Sequence, residues 1–180
     1  NEKVIRGFVK VQKVDKERTT NRNENQGDAT LAGAVISVIN ESKEAVYVNG
    51  KWHAKGEVVA TMTTNDKGIA VLDNSASLPY GSYSLKETKA SEGYLLNDKW
   101  KVNFQIREDN KVVDVTSQVL EQQAIRGYVE VIKQDLELSK SEAIACKDHN
   151  GANGEAASLN GITFEVRNAS AKSVNIAGKF

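Results

Sequence analysis

Apolar residues in this 180-residue chain recur at every second position over long stretches. RGFVKVQKVD (6–15), LAGAVISVIN (31–40), EVVATMTTN (57–65), GSYSLKET (81–88), KWKVNFQI (99–106) and KVVDVTSQVLE (111–121) all alternate. A period of two puts successive side chains on opposite faces of a strand, so each segment reads as a strand with one face in a core. Turn signals separate them: Asn49-Gly50, Asn65-Asp66-Lys67-Gly68, Pro79-Tyr80-Gly81 and the run from Arg107 to Asn110. No segment carries a convincing helical period. Short strands at this spacing predict an all-β antiparallel sandwich or barrel.

Charge adds an exclusion. Lysine plus arginine and aspartate plus glutamate both number 24, so no net field draws the chain to nucleic acid or to an anionic membrane. No apolar run is long enough to cross a bilayer, and no signal peptide is visible. The opening residues, NEKVIRGFVKV, read as the middle of a larger protein. Cys146 is the single cysteine, which excludes an internal disulfide and a CxxC metal site. Cys146 and His149 share a polar loop (CKDHN) and His53 sits in NGKWHAKG; these are expected to be loop and turn residues, with no metal and no cofactor.

The chain also repeats itself. IRGFVKVQKVD (5–15) returns as IRGYVEVIKQD (125–135), ATLAGAVISVINES (29–42) as ASLNGITFEVRNAS (157–170), and VYVNGKW (46–52) as VNIAGKF (174–180). The expected organisation is a complete domain over 1–122 and the first half of a second, truncated repeat over 123–180. The join LEQQAIRGYVEV has no proline and no glycine-serine run, so the units are expected to form a stiff tandem. NEKVIRG occupies the same place before the first unit as EQQAIRG does before the second, so Asn1 reads as the end of a preceding unit.

Three strands end an apolar face on a charge. Val9, Val11 and Lys13 share one face of the first strand, although Phe8 on the other face competes for the core. Tyr83, Leu85 and Glu87 share a face, and in the last strand so do Val113, Val115, Val119 and Glu121, with Gln122 facing outward. Lysine and glutamate are rarely buried unless paired, so Lys13 is expected to meet Glu87, Glu121 or both. Two readings of that meeting stay open. One is a buried ion pair. The other is covalent: desolvation lowers a lysine pKa and raises a glutamate pKa, a neutral amine is a nucleophile, and Glu87 could shuttle the protons of amide formation.

On these residues the chain resembles a known family. KVDKE (13–17), LAGAVISV (31–38) and LPYGSYSLKETKASEGY (78–94) are similar to the Cna protein B-type and SpaA-type repeat domains of Gram-positive surface adhesins and pilins. The resemblance implies a transthyretin-like (prealbumin-like) β-sandwich and a rod-building role. It also implies an isopeptide bond from a first-strand lysine to an asparagine or aspartate of the last strand, assisted by a buried glutamate. By motif Lys13 is the lysine and Glu87 the glutamate. Glu121 stands where the family has asparagine or aspartate, one methylene too long. Lys133 is the lysine of the second repeat, whose partners are not in the sequence.

The leading expectation is therefore a non-enzymatic stalk or spacer module at a bacterial cell surface, with adjacent repeats of the same chain as its partners. The second is a binding module in which loops 17–30 or 43–56, the latter holding Tyr47 and Trp52, contact host matrix protein or glycan. An enzyme acting on an external substrate ranks third, because Glu87 and Glu121 would point into a core and neither histidine lies in a nucleophile motif.

Overall fold

The computed structural model describes residues 2–73, 76–133 and 161–180. Asn1, Cys146 and His149 lie outside the described residues. Eleven strands follow in order: β1 (Arg6–Asp15), β2 (Val35–Asn40), β3 (Val46–Val48), β4 (Lys51–His53), β5 (Val58–Thr63), β6 (Ile69–Val71), β7 (Leu78–Pro79), β8 (Gly81–Lys89), β9 (Lys101–Ile106), β10 (Val112–Asp114) and β11 (Leu120–Gln122). No α-helix occurs among the described residues. The all-β expectation holds.

Two sheets carry the domain. One is antiparallel in the order β5-β2-β8-β9. The other is built around the long β1, which pairs antiparallel with β6 and β7 and parallel with β10 and β11. Lys10 pairs with both Val71 and Asp114, so β6 and β10 lie on opposite edges of β1. The core between the sheets is filled by the alternating apolar faces: Val9 and Val11, Ile36 and Val38, Tyr83 and Leu85, and Val102, Phe104 and Ile106. Each such side chain contributes about 1.5–3 kcal/mol when fully withdrawn from water. Tyr83 stacks on Phe104 with centroids 5.6 Å apart and gives its hydroxyl to the Pro79 carbonyl at 2.8 Å, so its one polar atom is satisfied.

Turn chemistry sets the registers. Asn49 and Gly50 both take positive φ (49° and 78°), the signature of the type I′ turn that joins β3 to β4. At the Asn65–Gly68 turn, Asn65 Oδ1 accepts from the Lys67 and Ile69 amides at 3.0 Å each, and Gly68 sits at φ +72°. That glycine lies directly against β1, since Lys13 N donates to the Gly68 carbonyl at 2.7 Å.

The chain divides into two compact units, residues 1–125 with 168–180, and residues 126–167. Within the first unit, residues 168–180 repeat the local bonds of residues 40–52. Asn40 donates to the Glu44 carbonyl and accepts from the Ser42 amide; Asn168 does the same with Lys172 and Ser170. Ala177 and Gly178 take the positive φ values (50° and 83°) of Asn49 and Gly50. In the second unit, the described residues 126–133 and 161–167 form no strand, and Lys133 is half-buried.

Candidate functional site: a buried amine, carboxyl and carboxamide

Strand parity carries Lys13 inward with Val9 and Val11; all three are fully buried, while Phe8 and Lys10 are half-buried. Two valines outweigh one aromatic in choosing the face. On β8 the same parity buries Tyr83, Leu85 and Glu87. The third expected member is corrected by the structure. Glu121 points away from the core, with its side chain 43% exposed, and pairs with Arg22. Gln122, expected to face solvent, is the buried residue.

The reason is a turn. The face count over 111–121 assumed one continuous strand. Instead the chain bends after β10: the Thr116 amide donates to Asp114 Oδ1 at 2.9 Å and the Gln118 amide to the Val115 carbonyl at 2.9 Å. Such an Asx-type turn resets the alternation before β11 begins. In β11, Leu120 and Gln122 then share the inner face opposite Lys13 and Asp15 of β1. Because the Arg22–Glu121 pair is exposed, Glu121→Ala is expected to change stability by no more than about 1 kcal/mol in a denaturant titration. A larger loss would show that Glu121 has a structural partner in the core.

The pocket so formed contains an amine, a carboxyl and a carboxamide. Gln122 Nε2 donates to Glu87 Oε1, a close contact, and the Asn97 amide donates to Glu87 Oε2 at 2.7 Å. The Asn97 side chain in turn donates to the Glu121 carbonyl at 2.9 Å, tying the β8–β9 connection to β11. Lys13 Nζ and Gln122 Oε1 are buried and have no hydrogen-bond partner among the described residues. Buried polar atoms are almost always satisfied, so two orphans in one pocket ask for a chemical explanation.

Burial shifts both ionisable groups toward their neutral forms. Burial lowers the Lys13 pKa to about 8 against the opposing pull of Glu87 and Asp15. Burial raises Glu87 above the usual carboxylate range, against the Asn97 and Gln122 hydrogen bonds and the charge of Lys13. Asp15, fully buried two residues along β1, is saturated by other donors: the Tyr94 hydroxyl at 2.8 Å, Gln26 Nε2 at 2.9 Å and the Glu17 amide at 2.8 Å. Tyr94, Asp15, Asn97 and Gln122 were not singled out by the strand pattern. Tyr94 and Asp15 do lie inside the quoted EGY and KVD motifs, which is the signal that could have found them. His53 ends β4, with its carbonyl accepting from Asn40 at 3.1 Å, and takes no part in this pocket.

A family model, SpaA, described as a prealbumin-like fold domain, matches residues 7–119. The chain belongs to the SpaA prealbumin-like domain family. Solved structures similar to this chain include the Bacillus anthracis TIE protein, at 24% identity and a TM-score of 0.48, covering 67% of this chain and 18% of that one. The minor pilin GBS52 of Streptococcus agalactiae is 19% identical with a TM-score of 0.42, covering 72% and 49%. The major pilin subunit BcpA of Bacillus cereus is 22% identical with a TM-score of 0.42, covering 67% and 31%. The chain thus spans less than half the length of each. No curated protein matches it. For a SpaA-type domain, the placement of Lys13, Glu87 and Gln122 in one enclosed pocket is the feature with chemical content. An external substrate has no route to it, since Lys13 and Gln122 are 0% and Glu87 1% exposed.

Proposed function

We propose that the domain is a structural spacer of a Gram-positive surface or pilus-like assembly, locked by an intramolecular amide between Lys13 and Gln122. The observation that carries this reading is the pair of unsatisfied buried atoms, Lys13 Nζ and Gln122 Oε1, beside a carboxyl already bonded to the Gln122 amide. Family membership and the repeated local geometry at 40–52 and 168–180 support a module that works in series with its own kind. Adjacent units are its partners, outside the cell. The loop-binding reading has weaker support: Tyr47 and Trp52 are exposed and in mutual contact at 5.4 Å, but no polar site converges on them among the described residues.

The chemistry needs no cofactor. Neutral Lys13 Nζ attacks Gln122 Cδ, forming the new C–N bond; the Cδ–Nε2 bond breaks and ammonia leaves. One proton moves from Nζ to Nε2 through Glu87, whose Oε1 already lies against that nitrogen. A half-turn of the amide exchanges its two ends. Protonated Glu87 then donates to Oε1 and polarises the carbonyl for attack. Compared with the acceptor first expected, Glu121, a carboxamide loses ammonia and not water. Intact mass of the denatured chain tests the proposal: a deficit of one ammonia, absent from Lys13→Ala, is the expected result.

The pH dependence follows from Lys13. Bond formation in newly folded chain is expected to quicken as pH rises through about 8, where the amine becomes neutral. In Glu87→Gln, which cannot shuttle protons, the amine stays free and its burial tells on stability. The folded pKa is below the unfolded value, so the unfolded chain binds more protons in between and stability rises with pH from about 8, or somewhat lower without Glu87, toward 10.5. The comparison with Glu87→Gln/Lys13→Met in denaturant titrations isolates this contribution; equal pH slopes in the two variants would contradict it.

A further inference from the structure

Tyr94 touches both halves of the proposed reaction. Its ring lies under the amine, with Lys13 Nζ 3.8 Å from the centroid. Its backbone bridges antiparallel to Ala124, two residues beyond Gln122, and the flanking amides close the zipper: Leu95 N to the Gln123 carbonyl and Ile125 N to the Gly93 carbonyl, each at 2.9 Å. The residue is itself held from three sides. Gly93 turns the chain at φ +82°, where an added Cβ would lie 2.5 Å from Ala29 Cβ. Leu31 and Ala124 pack with the ring in a small cluster apart from the main core. Asp15 takes the hydroxyl.

We infer that Tyr94 is the positioning residue of the amide-forming site, holding the Lys13 amine on its ring face while its backbone sets the height of Gln122. This rests on the covalent reading proposed above. A ring face attracts an ammonium through its quadrupole but takes no strong hydrogen bond from it. The amine is therefore held in place without being locked into a pair, and on losing its proton it keeps its lone pair for attack. Asp15, close enough to pull on Lys13, spends its acceptor capacity on Tyr94, Gln26 and the Glu17 amide. Its part is to fix the phenol by its hydroxyl. The arrangement places nucleophile and acceptor by two contacts from one residue, which is how a reaction with no external catalyst gains its effective molarity.

The test uses the full chain, newly synthesised, with the loss of ammonia followed by intact mass against time. Tyr94→Phe keeps the ring and the backbone zipper and is expected to react within about threefold of the parent; Tyr94→Leu loses the ring and is expected to slow by tenfold or more, within the range that orientation alone supplies. Leu31→Ala disturbs the same small cluster without touching the amine. It should lower the unfolding midpoint at least as much as Tyr94→Leu yet keep the parental rate. A parent with no mass deficit overturns the covalent reading and this role with it. A parental deficit formed equally fast by Tyr94→Leu overturns the role of Tyr94 alone. Equal slowing by Tyr94→Leu and Leu31→Ala would mean that the residue acts only through stability, which also overturns it.

Discussion

Glu87→Ala is expected to be the most damaging single substitution in the domain. In the proposed reaction it removes the proton shuttle, so the chain is expected to keep its full mass with no covalent tie from β1 to β11. A cross-link from Lys13 to Gln122 closes a loop comparable to the longest in small domains, worth about 5 kcal/mol by chain entropy. The substitution also strips Lys13 of its nearest compensating carboxylate in a pocket closed to water. An uncompensated buried charge costs roughly 3–5 kcal/mol, although here the amine can relieve part of it by shedding its proton. The two losses can be separated. Lys13→Met/Glu87→Met also lacks the bond but leaves no buried amine without its carboxyl partner, so in a urea titration it should be clearly more stable than Glu87→Ala. Equal midpoints would mean that Lys13 does not depend on Glu87.

Gly68→Ala should be nearly as severe, for a reason that has nothing to do with charge. The added Cβ would lie 2.2 Å from the Lys13 carbonyl oxygen and 3.1 Å from its carbon, both backbone atoms that cannot swing aside. The residue also needs φ +72°, which an L side chain adopts only under strain. Relief requires β6 to part from β1, which would break the Lys13 N to Gly68 O bond and shift the amine. A loss of about 3 kcal/mol or more in the unfolding titration is expected, together with slowed ammonia release. Gly56→Ala is the control. It has φ +85° but open space around the new methyl, so it pays for the backbone alone.

How far the sequence reaches is best seen by comparing strands. β1 and β8 run unbroken over 10 and 9 residues, so a face count begun at Val9 or Tyr83 is still valid at Lys13 or Glu87. Both buried charges were legible for that reason. The count failed at β11 because KVVDVTSQVLE alternates convincingly while containing Asp114 and Thr116, the residues of an Asx turn. A turn that short leaves no glycine or proline to announce it. Its effect is to shift parity by one, which exchanges Glu121 for Gln122 and turns an acid acceptor into an amide one. Asp15 and Tyr94 were missed for another reason. Strand parity puts Asp15 on the buried face with Lys13, but its pairing with a tyrosine from a distant loop is a tertiary event that no local pattern announces. The Asn49-Gly50 hairpin, in contrast, is a local event and was readable directly from two residues.

The corrected acceptor also changes how the pocket is understood. With Glu121 inside, three ionisable groups would have competed for one charge balance. With Gln122 inside, Glu87 is bonded to a neutral amide, and Lys13 feels the charges of Glu87 and Asp15 without a hydrogen bond to either. Burial then drives both groups toward neutrality, since each neutral form removes a desolvation cost that no hydrogen bond to Lys13 offsets. In the proposed cross-linking that is the state that reacts.

Whether Lys13 and Gln122 are joined can be read from the intact mass of the denatured chain, followed by peptide mapping of the digest. The expected result is a chain lighter than its sequence by one ammonia, with a branched peptide linking the segments around Lys13 and Gln122, and an unmodified mass for Gln122→Ala. A full-mass parent chain, or a deficit that persists in Gln122→Ala, would contradict it.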